Sequence, residues 1–333
     1  MFKKIATFVA GFVARLGKSI GDIGPIRHFR HLRSWWHAGD PTMQPGGYRQ
    51  GFVRCLNAKG LHKVAYTEWG DPKNPEVLVC VHGLTRNGRD FDELAQSLAP
   101  FYRVICPDVV GRGQSDWLPD KAAYGFQQYV ADMVTLLARL GVKEVDWVGT
   151  SMGGLIGMTL GGLPNNPIRK MVLNDVGPLI SKEALKRIAS YVSDKGSWAS
   201  LEEAEKYLRQ VGKPFGPLTD AQWLHMARYS FVQTDEGSWR FGFDPGIGDP
   251  FKAEYLLQDV NLWPLYEKLD MPLLVIRGAE SDLLSETVWR EMGRRGPGEQ
   301  HKVTLLEMLG VGHAPMFTDE AQRAPVIEFL LSK

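Results

Sequence analysis

Residues 144–154, EVDWVGTSMGG, decide how this chain folds. The first half, EVDWVG, is a short, nearly uniform apolar run, the pattern of a strand buried on both faces. The second half opens SMGGLIGMTLGG, which reads as a helix beginning near Met152. Between them Gly149-Thr150-Ser151-Met152-Gly153 fits G-x-S-x-G. In a sharp strand-to-helix turn of this kind the serine is held in a strained conformation with its hydroxyl exposed. The residues two before and two after must be small for the chain to reverse without collision. The turn also points the N-terminal end of a helix at the serine, where negative charge is favoured. The bare pattern is weak in a glycine-rich chain; the flanking strand and helix make it specific. The plain alternative is a glycine-rich turn in which Ser151 only caps a helix.

Working outward, further apolar runs end in Gly, Asp or a polar turn: PEVLVCVHG (75–83), YRVICPD (102–108), KMVLND (170–175), PLLVIRG (272–278) and KVTLLEM (302–308). Helical patterns alternate with them, among them GRDFDELAQSLAP and FQQYVADMVTLLARLG. Strand–helix alternation predicts a doubly wound, mostly parallel α/β sheet. Ahead of it GFVRCLN and HKVAYTEWG, separated by AKGL, predict a hairpin. The alternation breaks after Asp175. Residues 178–270 are far more than a crossover needs and hold three amphipathic helical patterns with Trp198, Trp223, Trp239 and Trp263. They predict a helical cap over one end of the sheet. The expected organisation is an extension over 1–47, a core of 48–177 and 271–333, and the cap over 178–270.

A serine hydroxyl is a poor nucleophile at neutral pH and needs a base that a third group orients. On a sheet of this type the partners follow in the order Ser, Asp or Glu, His. His313 lies in LGVGHAP, just after the run KVTLLEM, where a loop can reach the serine turn. The acid should follow a strand between the two. PLLVIRG leads into AESDLL, which offers Glu280 and Asp282; Asp282 is preferred because the loop must run a few residues beyond its strand to reach the imidazole. Asp175, at the end of the preceding run, is the competitor, and a helix cap or a salt bridge is the plainer role for Asp282.

A tetrahedral oxyanion needs two preset N–H donors. Met152, next to the nucleophile, supplies one. Leu84 is chosen for the other, because Gly83 in His82-Gly83-Leu84 lets the backbone come close. His82 reads as a structural histidine holding that loop. Arg86 and Asn87, with Arg89, crowd the same loop and are candidates for touching a substrate carboxylate, or are simply solvated.

With these pieces in place, residues 48–333 resemble the α/β-hydrolase superfamily. The resemblance rests on VHGLTRNGRDF (81–91), DVVGRGQSDW (108–117), GTSMGG (149–154), RGAESDLL (277–284) and GHAP (312–315). It implies an eight-stranded, mostly parallel sheet with a lid after strand six, and no metal or organic cofactor. It also implies structural roles for Asp108, Gly111, Gly113 and Ser115. Serine-dependent members include carboxylesterases, depolymerases of polyester oligomers, thioesterases and hydrolases of C–C bonds. Cleavage of a small or oligomeric carboxylic ester through an acyl-Ser151 is the expected activity. The rivals are C–C bond hydrolysis of a ring-cleavage product and a non-catalytic ligand-binding homologue.

Composition constrains the rest. Thirty-nine Lys and Arg against 38 Asp and Glu give a net charge of +1, which lends no support to nucleic-acid binding. Three cysteines, Cys55, Cys80 and Cys106, are too few and odd for a disulfide framework and fit a reducing, cytoplasmic compartment. No Cys/His spacing suggests zinc. Residues 1–20, MFKKIATFVAGFVARLGKSI, place Phe2, Ile5, Val9, Phe12 and Leu16 at helical spacing. That predicts an amphipathic helix, packed on the domain or lying on a membrane or polymer surface.

Overall fold

Two antiparallel strands, β1 (Thr42–Met43) and β2 (Arg49–Asn57), precede β3 (Gly60–Trp69) in a computed structural model that describes residues 42–192, 196–251 and 258–332. The expected N-terminal helix lies outside the described residues. β2 and β3 form the expected hairpin, in register from Arg49 opposite Glu68 to Asn57 opposite Gly60. Its turn is set locally: Asn57 Oδ1 accepts the Lys59 N–H at 2.7 Å.

The alternating elements follow: β4 (Val77–Val81), α1 (Asp92–Leu98), β5 (Arg103–Pro107), α2 (Phe126–Leu140), β6 (Val145–Thr150), α3 (Met152–Gly161) and β7 (Ile168–Asn174). After the insert described below, the core resumes with β13 (Leu273–Gly278), α8 (Glu286–Met292), β14 (Val303–Met308) and α9 (Glu320–Leu331). The spatial order is β1-β2-β3-β5-β4-β6-β7-β13-β14. Pairing is parallel from β5 to β14 and antiparallel on the β1–β3 side. The sheet therefore has nine strands where eight were expected. The extra one is β1, a two-residue rung pairing Thr42 with Gln50 and Met43 with Arg49; so short a strand carries no periodicity. It also brings part of the segment assigned to the 1–47 extension into the sheet.

Burial on both faces explains the unbroken apolar runs. Leu78 and Cys80 pack with Phe91, Leu94 and Leu98 on one side, while Val77, Val79 and Val81 join Trp147 and Met152 on the other. The chain steps from β4 outward to β5, then crosses back over β4 to β6. The reversal puts a topological switch point between β4 and β6, adjacent strands in which Val81 faces Gly149. In open α/β sheets the crevice at the carboxyl ends of such strands is where ligands bind. The segments that leave β4 and β6 there are His82-Gly83-Leu84 and Ser151.

The insert between β7 and β13 leaves through β8 (Leu179–Ile180) and returns through β12 (Val260–Asn261), which pair with each other as a clasp. It holds α4 (Lys182–Val192), α5 (Leu201–Val211) and α6 (Asp220–Ser230), with the short α7 (Trp263–Tyr266) after the clasp. A reciprocal cap between Thr219 and Gln222 starts α6. The cap is not purely helical: β9 (Ser197–Trp198), β10 (Phe231–Gln233) and β11 (Trp239–Phe241) make a small antiparallel sheet. Its aromatics mostly pack on one another. Trp198 stands 5.0 Å from both Tyr207 and Phe231, and Phe241 stacks between Phe231 and Phe243 at 5.0 and 4.9 Å.

Candidate active site

Ser151 sits at the end of β6 with φ 51° and ψ −113°, outside the conformations an L residue adopts freely. Such a residue costs of order 1–3 kcal/mol and persists only where its surroundings enforce it. Here they do. Ser151 N–H donates to the Asn174 carbonyl at 3.0 Å, and its own carbonyl accepts the N–H groups of Gly154 and Leu155 at 2.9 and 3.1 Å. The flanking glycines are required by space: a Cβ on Gly149 would lie 2.4 Å from Gly154 N, and one on Gly153 1.9 Å from the Val81 carbonyl oxygen.

His313, in the loop between β14 and α9, reaches this turn. Its Nε2 is 3.0 Å from Ser151 Oγ and its Nδ1 is 2.7 Å from Asp175 Oδ2. A carboxylate only accepts, so Nδ1 carries the hydrogen and Nε2 is left to accept from the serine hydroxyl. Asp175 is fully buried directly after β7. Its Oδ1 accepts Gly278 N–H at 2.8 Å, and its Oδ2 also accepts the Ser281 hydroxyl at 2.6 Å. Asn174 braces the same loop, donating through Nδ2 to the Pro315 carbonyl at 2.8 Å and to Thr150 Oγ1 at 3.0 Å.

The structure does not bring Asp282 to the imidazole. Asp282 is half-exposed and forms a forked pair with Arg187 of α4, at 2.6 and 2.9 Å. The reason lies at the end of β13. The histidine loop crosses over that strand so closely that a Cβ on Gly278 would meet the Gly312 carbonyl oxygen at 2.2 Å. Ala279 and Glu280 then run beside that loop, donating to the carbonyls of Met308 and Val311 at 2.8 and 2.9 Å. The space between β13 and the imidazole is filled by backbone, so the chain turns outward and carries Asp282 to the surface. Asp175, on the strand between β6 and β13, meets the ring directly. Ser281, which no sequence argument singled out, is the residue of AESDLL whose side chain meets Asp175.

The loop after β4 lies beside the serine: a Cβ on Gly83 would stand 3.8 Å from that of Ser151. His82 is fully buried and donates from Nδ1 to the Gly83 carbonyl at 2.7 Å, while Nε2 accepts Val109 N–H at 2.9 Å. Burial, with Arg112 and Arg86 nearby, pushes its pKa down to about 3, so the ring is neutral. It holds the loop, as its position before Gly83 suggests. The N–H groups of Leu84 and Met152 have no hydrogen-bond partner among the described residues.

Arg86 and Asn87 are not available as a carboxylate subsite. Arg86 is paired through Nε and Nη2 with both oxygens of Asp90, at 2.9 and 2.5 Å, and its Nη1 donates to Ser230 Oγ of the cap at 2.7 Å. Asn87 is buried, accepting Arg89 N–H at 3.0 Å and donating to the Tyr229 carbonyl at 2.8 Å. Both lash the loop to α6. Arg89 is likewise held by Asp92 and sandwiched between the rings of Tyr48 and Tyr229 at 4.1 Å each.

Elsewhere, Cys55, His62 and Asp132 place a thiol, an imidazole and a carboxylate within 4.8 Å of one another, all buried. His62 Nε2 already donates to both Asp132 oxygens at 3.1 and 3.0 Å, and burial raises the Cys55 pKa, keeping the thiol protonated. The group pins the β2–β3 hairpin to α2. Among the described residues no helix is long and apolar enough to cross a membrane.

Comparison with known proteins agrees with this architecture. The model of the α/β hydrolase fold family matches residues 76–320. A 3-hydroxybutyrate-oligomer hydrolase of Cupriavidus necator is 49% identical over 288 residues, covering 84% of this chain and 97% of its own length. An α/β hydrolase from Novosphingobium aromaticivorans superposes with a TM-score of 0.76 at 35% identity, covering 86% of this chain and 99% of that one. A protein from Rickettsia typhi does so with a TM-score of 0.79 at 30% identity, covering 87% and 100%. With a family match over most of its length and a relative 49% identical across 84% of it, the chain belongs to the α/β-hydrolase fold family and is a hydrolase.

Proposed function

We propose that the chain hydrolyses carboxylic esters through an acyl-enzyme on Ser151, with His313 as general base and acid and Asp175 as the group that orients it. The observation that carries this is the single imidazole bridging a serine hydroxyl and a buried carboxylate, at 3.0 and 2.7 Å. In the first half-reaction His313 Nε2 takes the Ser151 proton as Oγ attacks the ester carbonyl, then returns it to the departing alcohol. In the second it takes a proton from water, which attacks the acyl carbon and releases the acid. Asp175 keeps the hydrogen on Nδ1 and stabilises the imidazolium in both.

The unpaired N–H groups of Leu84 and Met152 are the donors proposed for the oxyanion. In a trans peptide the C=O and the following N–H point in opposite directions. His82 draws the Gly83 carbonyl to itself, so the Leu84 N–H faces away from His82. Such donors contribute about 3 kcal/mol each in enzymes where one has been removed.

The relative named for 3-hydroxybutyrate oligomers favours short hydroxyalkanoate ester chains as substrate. C–C bond hydrolysis would need a cation for the substrate carboxylate, and Arg86 is already neutralised by Asp90. The test is a fluorophosphonate probe together with two substrates, p-nitrophenyl butyrate and a 3-hydroxybutyrate trimer. Adduct formation at Ser151 and release of monomer and dimer, both lost in Ser151→Ala, are expected. An intact protein that forms no adduct, or undiminished turnover after that substitution, refutes the reading.

A further inference from the structure

Arg112 occupies the turn DVVGRGQS, whose other polar members hold the turn itself. Asp108 accepts the N–H groups of Gly88 and Gln114, each at 2.8 Å, and Ser115 Oγ donates to the Asp108 carbonyl at 2.5 Å. Arg112 does something different. It is wholly buried, yet no carboxylate among the described residues lies within ion-pair distance of it. A guanidinium stays protonated, and a buried charge without a counter-charge is costly. It is held by neutral groups. Nη1 donates to the Val110 carbonyl at 2.7 Å and to Tyr129 Oη at 3.1 Å, and the ring of Tyr129 lies 5.0 Å from Cζ.

Its other two nitrogens reach the residues with the unpaired N–H groups. Nε donates to the Leu84 carbonyl at 2.8 Å, and Nη2 lies 3.6 Å from Met152 Sδ. With His82 holding the peptide before Leu84 and Arg112 the carbonyl after it, both peptide planes flanking Leu84 are clamped. The backbone of the same turn is tied to the stretch of the cap that follows β11: Gly113 N–H donates to the Gly242 carbonyl at 3.1 Å, Asp244 N–H to the Gly111 carbonyl at 2.8 Å, and Arg112 itself bridges Phe243.

We infer that Arg112 is a positioning residue for the oxyanion donors. Its planar guanidinium, on a turn whose backbone is bonded to cap residues 242–244, fixes Leu84 and Met152 relative to each other, and so sets the spacing of their N–H groups with a positive charge behind them that no carboxylate among the described residues offsets. This rests on the reading that those two groups receive the oxyanion. The turn is thus more than a structural corner: it couples the seating of the cap to the stabilisation of the tetrahedral intermediate.

The test compares Arg112→Met, Arg112→Lys and wild type. It measures kcat and KM on p-nitrophenyl butyrate and inhibition by an alkyl trifluoromethyl ketone, whose adduct places an oxyanion between the donors. Active serine is counted by end-point fluorophosphonate titration, so unfolded protein does not enter the rates. Removing one donor lowers kcat about 10²- to 10³-fold in studied enzymes. Arg112→Met is expected to lose about 10²-fold in kcat, to bind the ketone weaker by a similar factor, and to change KM by less than about threefold. Arg112→Lys, which keeps the charge but not the fork, should fall between. Unchanged kcat and ketone affinity per active serine, whatever the melting temperature, overturns the inference. If Arg112→Met does not fold, Arg112→Lys decides by the same criterion. Loss of turnover in Ser151→Ala with normal Arg112 variants would sink this inference alone. Absence of any ester turnover in wild type would sink the reading beneath it as well.

Discussion

Replacing Asp175 by Asn and, separately, Asp282 by Ala separates the two carboxylates that follow adjacent strands. In wild type Asp175 Oδ1 accepts from Gly278 N–H and Oδ2 from both His313 Nδ1 and Ser281 Oγ. An asparagine must keep its oxygen toward Gly278 N–H, since two N–H groups cannot face each other. Its amide NH2 then faces the imidazole, which turns Nδ1 into an acceptor and moves the ring hydrogen to Nε2. A protonated Nε2 cannot take the Ser151 proton. Where this exchange has been made in a serine triad, kcat fell about 10⁴-fold, or about 5.5 kcal/mol in the barrier. The same loss is expected for Asp175→Asn. Asp282, half-exposed and paired among the described residues with Arg187, contributes no more than about 1 kcal/mol to stability and nothing to proton transfer. Asp282→Ala should retain kcat within about twofold. Initial rates on p-nitrophenyl butyrate, normalised to folded protein by thermal melting, give both numbers. A loss above about 10²-fold in Asp282→Ala, or less than about tenfold in Asp175→Asn, would refute the assignment of the acid to β7.

Three further outcomes follow from particular contacts. Gly278→Ala puts a methyl against the Gly312 carbonyl oxygen, where the free distance is 2.2 Å; a shift of the histidine loop by about 1 Å should lower kcat about 10²-fold with little change in KM, read from steady-state kinetics. His82 holds a pKa of about 3 against 6.5 when unperturbed, so as pH falls the unfolded chain protonates first. Its stabilising contribution is complete well above pH 6.5 and is lost progressively on the way down to about 3, averaging about 1 kcal/mol per unit between pH 7 and 5; urea unfolding of His82→Asn over that range should show a slope shallower by that amount. Arg86→Gln should not discriminate between a neutral acetate ester and an anionic hemisuccinate ester of p-nitrophenol, because Asp90 already neutralises Arg86; a selective rise in KM for the hemisuccinate would restore Arg86 as a carboxylate subsite.

Most of the fold was legible because burial on two faces writes unbroken apolar runs, and each core strand from β4 to β14 lies where such a run predicts it. The serine turn was legible because its small residues answer a steric demand: an added Cβ would meet backbone at 2.4 Å from Gly149 and 1.9 Å from Gly153. His313 followed from chain order. The small sheet of the cap was not legible: Ser197–Trp198 and Trp239–Phe241 are two and three residues long, too short for an alternating pattern to rise above the helical periodicity around them. The engagement of Arg86 was hidden for another reason, since Asp90 is close in sequence but Ser230 is a cap residue 144 positions away.

The misplaced acid shows where chain order stops being informative. Ser151 follows β6 and His313 follows β14, three strand positions apart in the sheet. At about 4.8 Å per strand that is roughly 14 Å, so the histidine loop has to travel back across β13 and β7. Any acid emerging from either strand satisfies the order Ser, Asp, His. What breaks the tie is the path of the loop. It crosses β13 at backbone contact, with Gly312 against Gly278, and comes to rest over β7. A carboxylate on a longer loop after β13 would have to pass through the chain it is meant to meet, whereas the residue immediately after β7 lies beneath the ring. Two sequence features carry this, if read together: a glycine closing the PLLVIRG strand, and an aspartate closing KMVLND without any intervening loop. The first marks a strand end that another backbone occupies, and the second marks a carboxylate whose position the sheet itself fixes.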